Sequence, residues 1–128
     1  MIDHCRAGLP NEACGFLGGR DGTAERIYKL TNAARSPVYY RPADKEMIAA
    51  MNDIDEKGTE LVAIFHSHVA SPAYPSPTDI REAHYPDSVY VIVSMANQYE
   101  PDARGYLIQK EDWRDENGRV EEIELMLS

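Results

Sequence analysis

Apolar positions along this chain follow two rhythms, and they divide it into strands and helices. Glu12 to Leu17 reads as a strand ended by Gly18-Gly19. Arg20-Asp21-Gly22 is a hairpin signal, and Ala24 to Leu30 alternates as the returning strand. After a break at Ser36-Pro37, Val38-Tyr39-Tyr40-Arg41 reads as a short third strand. Leu61 to His66 reads as a buried strand, and Val89 to Ser94 is almost wholly apolar, which predicts a central strand covered on both faces. Arg104 to Gln109 and Val120 to Leu127 read as two more strands, joined by a polar turn at Asp115-Glu116-Asn117-Gly118. The helical rhythm is clearest between Pro42 and Gly58, where Met47, Ile48, Met51 and Ile54 fall on one face among Asp44, Glu46, Asp53 and Glu56. Met1 to Ala7 reads as the tail of a first helix, stopped by Gly8 and followed by a turn at Leu9-Pro10-Asn11. Ser76-Pro77-Thr78-Asp79 supplies an N-cap, a proline at N1 and an acid at N3, opening a helix that runs to about His84 before Pro86. Strands interspersed with helices predict an α/β fold, a sheet flanked by helices in a single domain spanning residues 1–128.

Composition narrows the functional classes. With 128 residues and 43% hydrophobic content the chain suits one core. Its formal charge of -9 argues against non-specific nucleic-acid binding, which needs basic patches. No apolar run approaches a membrane span, and the first residues do not read as a signal peptide. Cys5 and Cys14 are too few for a disulfide framework, so a reducing cytoplasm is the expected setting.

Candidate chemistry concentrates at Phe65-His66-Ser67-His68 and the segment that follows to Asp79. Two histidines two apart at a strand end share a face, because strand side chains alternate. With one carboxylate brought in by a short loop they make a three-ligand set that suits zinc with a fourth position open. Taken singly each residue has a plainer reading: a solvated histidine, or Ser76 and Asp79 as caps. Their joint spacing favours the metal site.

His66-Ser67-His68, ten residues and then Asp79, with Ser76 three before the aspartate, resembles the JAMM (MPN-plus) metalloprotease motif. Glu12-Ala13-Cys14-Gly15-Phe16-Leu17-Gly18-Gly19 resembles that family's upstream glutamate element. The stretches Asn32 to Arg41 and Ala73-Tyr74-Pro75-Ser76 resemble its bacterial subgroup that releases cysteine from a ubiquitin-like sulfur-carrier protein. Many members carry proline after the second histidine; Val69 stands there instead, which leaves the ligand set intact and bears on loop geometry. The resemblance implies a mixed sheet of the cytidine-deaminase-like JAMM/MPN fold, one Zn2+ per chain on His66, His68 and Asp79, Glu12 as the carboxylate that moves protons, and Ser76 as oxyanion donor. It further implies a carrier partner whose Gly-Gly tail binds extended in a narrow channel, with Tyr39, Tyr40, Arg41 and Tyr74 as candidate walls. Ordinary aromatic packing is an equal reading of those four. The family also contains isopeptidases acting on lysine conjugates and metal-free scaffold domains; the complete residue set ranks the scaffold lowest. A homodimer remains open on the sequence.

Other residues read plainly. His4 belongs to a frayed start, and His84 lies near a helix end that favours a cation. Cys14, two after Glu12, shares its face if the strand is regular; a small buried residue is favoured over a soft ligand or oxidation-sensitive thiol. Trp113 reads as a partly buried packing residue. A nucleoside deaminase would need a Cys-x-x-Cys pair with His-x-Glu, and a helical zinc protease His-Glu-x-x-His; the chain has neither.

Overall fold

The computed structural model describes residues 1–97, 99–111 and 118–125. Its framework is a six-stranded sheet built from β1 (Cys14–Arg20), β2 (Thr23–Leu30), β3 (Glu60–His68), β4 (Val89–Ser94), β5 (Asp102–Gln109) and β6 (Arg119–Ile123), in the order β2-β1-β3-β4-β5-β6. Every neighbouring pair is antiparallel except β3 and β4. A parallel pair needs a crossover, and residues 69–88 supply it, carrying the short helix α3 (Pro77–Arg81) past the end of β3. The other helices are α1 (Ile2–Gly8) and α2 (Asp44–Glu56).

Strand alternation separates two apolar clusters. Phe16, Ile64, Tyr90, Ile92 and Tyr106 pack with Ala50, Met47 and Met51 of α2 and with Ile80 of α3. Ala63, Phe65, Val91 and Val93 pack with Cys5 and Ile2 of α1. Because His66 follows Ile64 at a spacing of two, its ring emerges on the α2 side. β4 is buried at every position after Val89, as its unbroken apolar run predicts.

The hairpin at Asp21-Gly22 forms as predicted, with φ of 51° and 76°, a pair of left-handed residues that matches the twist of the flanking strands. Four other expectations are corrected. β1 does not stop at Gly18-Gly19 but runs through them to Arg20 with register shifts there. A Cβ at Gly19 would lie 1.9 Å from the Thr23 carbonyl oxygen, so glycine permits the irregularity rather than ending the strand. β1 also begins at Cys14, so Glu12 precedes it rather than lying in it. Val38 to Arg41 forms no strand; only an isolated bridge joins Asn32 to Pro42. The Asn32 side chain replaces a strand partner, donating to the Glu12 and Tyr39 carbonyls and accepting from the Ala34 and Arg41 amides. Ile48 is 58% exposed, because Ala50 takes the core-facing position beside Met47, Met51 and Ile54. Finally, α3 ends at Arg81, three residues before the expected His84.

The last strand, expected over Val120 to Leu127, ends at Ile123, with Glu124 and Leu125 outside it. The polar turn predicted over Asp115 to Asn117 and the reading of Trp113 lie outside the described residues.

Candidate metal centre

β3 extends two residues past its expected end and carries both His66 and His68. Asp79 arrives from α3. Ser76 Oγ accepts the Asp79 N–H at 3.1 Å and Asp79 Oδ2 accepts the Ser76 N–H at 2.9 Å, so the predicted capping box forms in full. That box turns the carboxylate toward the strand end. His66 Nε2 lies 3.2 Å from Asp79 Oδ1, His68 Nε2 lies 2.9 Å from Asp79 Oδ2, and the two Nε2 atoms are 3.1 Å apart. Among the described residues these three form the cluster whose donor atoms all lie within 4.8 Å of one another.

The protonation pattern of the cluster suits a cation. His68 Nδ1 lies 2.8 Å from the Pro72 carbonyl oxygen, which can only accept, so Nδ1 carries a proton. Nε2 faces a carboxylate oxygen at 2.9 Å, an approach satisfied by a proton on Nε2 or by a cation held between the two atoms. Burial opposes charge on His68, yet Asp79 and the Pro72 carbonyl raise its pKa. Burial alone would raise the Asp79 carboxyl; His66, His68 and the Ser76 amide hold it well below the usual carboxylate range. Two imidazoles and one carboxylate with converging ligand atoms fit a divalent ion such as zinc. His66 Nδ1 is buried without a hydrogen-bond partner among the described residues, and its ring is held instead by stacking on Tyr40 at 4.4 Å and 20°.

Glu12 is 6% exposed. Burial pushes its carboxyl up to about 7; the charge of His68 lowers it and that of Asp79 raises it, which places Glu12 in electrostatic reach of the cluster. Its position depends on residues that sequence reasoning assigned no role. Ser67, between the two histidines, accepts the Ala13 N–H on Oγ at 2.8 Å, while its own N–H donates to the Ala13 carbonyl at 3.0 Å. Glu12 N–H donates to the Ser36 carbonyl, and the Asn32 amide to the Glu12 carbonyl. Ser67, set between the two histidines on the opposite face of β3, gave no separate signal in the sequence, and nothing there indicated the four bonds of Asn32.

The candidate walls divide. Tyr39, Tyr40 and Arg41 line a cavity of about 270 Å³ whose wall also includes Asp79, Phe16 and Tyr90. Tyr74 is outside it, 57% exposed and edge-on to Tyr106, whose hydroxyl donates to the Ala73 carbonyl. His84 lies past the end of α3, in the wall of that same cavity. His4 is not frayed: its Nε2 lies 3.0 Å from the Cys14 carbonyl and 3.3 Å from that of Leu30. Cys14 is 1% exposed inside the core, and burial pushes its thiol up to about 12, so it behaves as the small buried residue that was favoured.

The family described as prokaryotic homologs of the JAB domain matches residues 1–115. The chain belongs to that family. It is similar to a CysO-cysteine peptidase of Mycobacterium tuberculosis, 40% identical over 110 residues that span 84% of this chain and 75% of the relative. It is also similar to a desampylase of Pyrococcus furiosus, 32% identical over 89 residues covering 70% of this chain and 64% of the relative. A solution structure of a Desulfitobacterium hafniense protein superposes with a TM-score of 0.83 at 40% identity, covering all of this chain and 86% of that one. JAB membership agrees with the JAMM/MPN resemblance of the two sequence motifs and with the mixed sheet they sit on.

Proposed function

We propose that residues 1–128 act as one metalloprotease domain that binds a single Zn2+ on His66, His68 and Asp79. Its substrate is a ubiquitin-like sulfur-carrier protein, whose amide bond after the C-terminal Gly-Gly it hydrolyses to release cysteine. The observation that carries this reading is the convergence of two imidazoles and a carboxylate, within 4.8 Å of one another, in electrostatic reach of the buried Glu12. The CysO-cysteine peptidase relative supports the carrier and the leaving group. The free, buried cysteines suit a reducing cytoplasm.

A bound zinc ion supplies a Lewis acid that polarises a carbonyl and makes water acidic near neutral pH. The chain's own residues do the rest. Glu12, with a carboxyl poised near neutrality, takes the proton of the attacking water and returns it to the leaving amine. Ser76 uses its hydroxyl oxygen to cap α3, which leaves the O–H free to donate to the developing oxyanion. Tyr40 holds the His66 ring, and with Tyr39 and Arg41 it bounds the cavity beside Asp79 where an extended tail would lie. Tyr74, exposed and two residues before Ser76, is a further candidate contact.

A second reading keeps the site and changes the bond to a lysine isopeptide. A Thermus thermophilus relative described as a probable TtuB-protein conjugate cleaving protease favours it, at 37% identity over 90 residues. The test is zinc content and turnover on wild type and Glu12→Gln, with a carrier ending in Gly-Gly-Cys and a lysine-linked conjugate in parallel. Wild type holds about one zinc per chain and releases cysteine, and the variant keeps zinc without turnover. Zinc binding with cleavage of the lysine conjugate alone transfers the assignment to the second reading. Failure to bind metal overturns both in favour of a scaffold.

A further inference from the structure

We propose that Ser94 and Tyr106 are positioning residues for the metal centre, and that they act by aiming the Pro72 carbonyl at His68. This rests on the metal-site reading above and names what orients one of its ligands.

The loop that leaves β3 passes through Ser71, Pro72 and Ala73 before it reaches Ser76 and Asp79. Ser71 and Pro72 are exposed, so packing does not hold them. Side chains of the sheet hold the three carbonyls instead. Ser94 Oγ donates to the Ser71 carbonyl at 2.7 Å, His68 Nδ1 to the Pro72 carbonyl at 2.8 Å, and the Tyr106 hydroxyl to the Ala73 carbonyl. The donors come from three neighbouring strands. His68 ends β3, Ser94 lies beside it at the end of β4, and Tyr106 lies in β5 opposite Tyr90. Ser94 comes two after Ile92, so it shares the face of the sheet on which Ile92 and Tyr106 pack. Both are buried, Ser94 at 7% and Tyr106 at 1% exposure, so they bring the rigidity of the sheet to an exposed loop.

The middle carbonyl decides the state of His68. It also accepts the Tyr74 N–H at 2.8 Å, which occupies its second lone pair. Few torsions set its direction. The ring of Pro72 fixes φ, and Ser71 before it is confined to extended backbone. Ser94 holds the peptide plane that precedes the Pro72 carbonyl and Tyr106 the plane that follows it. A plane between two held planes has little room to turn. A fixed acceptor at Nδ1–H sets both the tautomer and the ring orientation of a ligating histidine. Nε2 is then the nitrogen offered to the ion, on the side where His66 and Asp79 converge. His66 Nδ1 has no such partner among the described residues, so His68 is the imidazole of the pair that hydrogen bonding orients.

The experiment measures zinc affinity, by competition with a chromophoric chelator, on wild type, Ser94→Ala, Tyr106→Phe and Ile108→Val, with the melting temperature of each metal-free protein. Ile108 is buried in the same cluster as Tyr106 and its side chain donates no hydrogen bond, so its variant reports destabilisation alone. Wild type binds about one zinc per chain. Ser94→Ala and Tyr106→Phe each bind it about tenfold more weakly, the lower end of the effect of removing outer partners of a ligating histidine. Ile108→Val keeps the wild-type affinity at a lowered melting temperature. In the zinc-loaded proteins the His68 Nδ1 proton, followed by NMR, exchanges with solvent faster in Ser94→Ala and Tyr106→Phe than in wild type and Ile108→Val. Tyr106→Phe deletes one oxygen and keeps the ring in the core, so it decides the test if Ser94→Ala does not fold. Unchanged zinc affinity in the folded Tyr106→Phe protein overturns the assignment. An equal weakening in Ile108→Val also overturns it, because affinity would then follow stability alone. Absence of zinc from wild type overturns the metal reading instead, and this assignment falls with it.

Discussion

Asp79 Oδ2 meets His68 Nε2 at 2.9 Å and accepts the Ser76 N–H at the same distance. One oxygen therefore joins the start of α3 to the end of β3, and the helix cap and the candidate ligand are a single device. A five-residue helix has little stability of its own, so the cap and its link to the strand hold the carboxylate in place.

Separating the two duties gives the first prediction. Asp79→Asn keeps an oxygen for the cap but removes the charge, so zinc affinity should fall by 10-fold or more, on the order found for altered ligand shells, while the metal-free protein keeps most of its stability. Ser76→Ala should cost about 1 kcal/mol of stability through the lost cap and lower kcat while zinc stays bound. Metal titration with thermal unfolding on both variants checks this; equal zinc affinity in Asp79→Asn and wild type would remove Asp79 from the ligand set.

Ser67 ties the Glu12 segment to β3 through the Ala13 amide. Ser67→Ala leaves a buried N–H without its acceptor, and the expected cost is about 1–3 kcal/mol. If the serine positions Glu12, kcat falls and zinc content does not. A variant that loses stability but turns over normally would confine Ser67 to a packing role.

The metal-free protein should show a pH dependence traceable to Glu12. Its folded carboxyl is raised from 4.5 to about 7. Between those values the unfolded chain ionises while the folded protein stays protonated, so this group lowers stability as pH rises, and the full penalty is present above the folded pKa. Glu12→Gln removes the penalty. Chemical unfolding of the two metal-free proteins should diverge from pH 5 to pH 8, with the variant more stable at the upper end by on the order of 3 kcal/mol. Parallel curves would show that Glu12 is not buried as described.

Chelation should abolish activity and lower the melting temperature together, because an ion held by His66, His68 and Asp79 binds only the folded protein, where the three side chains converge. Restoring zinc to about 100 times its Kd should return about 2.7 kcal/mol of stability. Differential scanning calorimetry with and without chelator measures this; an unchanged melting temperature would mean that no ion binds the folded state.

Local chemistry made much of this legible in the sequence. The Asp21-Gly22 hairpin, the central strand Val89 to Ser94 and the Ser76 cap each follow from rules acting over a few residues, so their patterns carry the answer. The paired histidines could be read as sharing a face because strand alternation is a local geometry. The errors fell where a distant partner decides. Val38 to Arg41 has strand composition, yet the Asn32 amide bonds that loop to itself and to Glu12. Gly18-Gly19 reads as a break, yet pairing on both sides carries β1 through it. Burial of Glu12, the bonds of Ser67 to Ala13 and the stacking of Tyr40 on His66 are contacts between segments far apart in sequence, which spacing does not encode. The sequence by itself determined which elements form and which donors are available. Only the tertiary structure decided which of those donors meet and which surround Glu12, because each depends on burial and pairing between segments far apart in sequence.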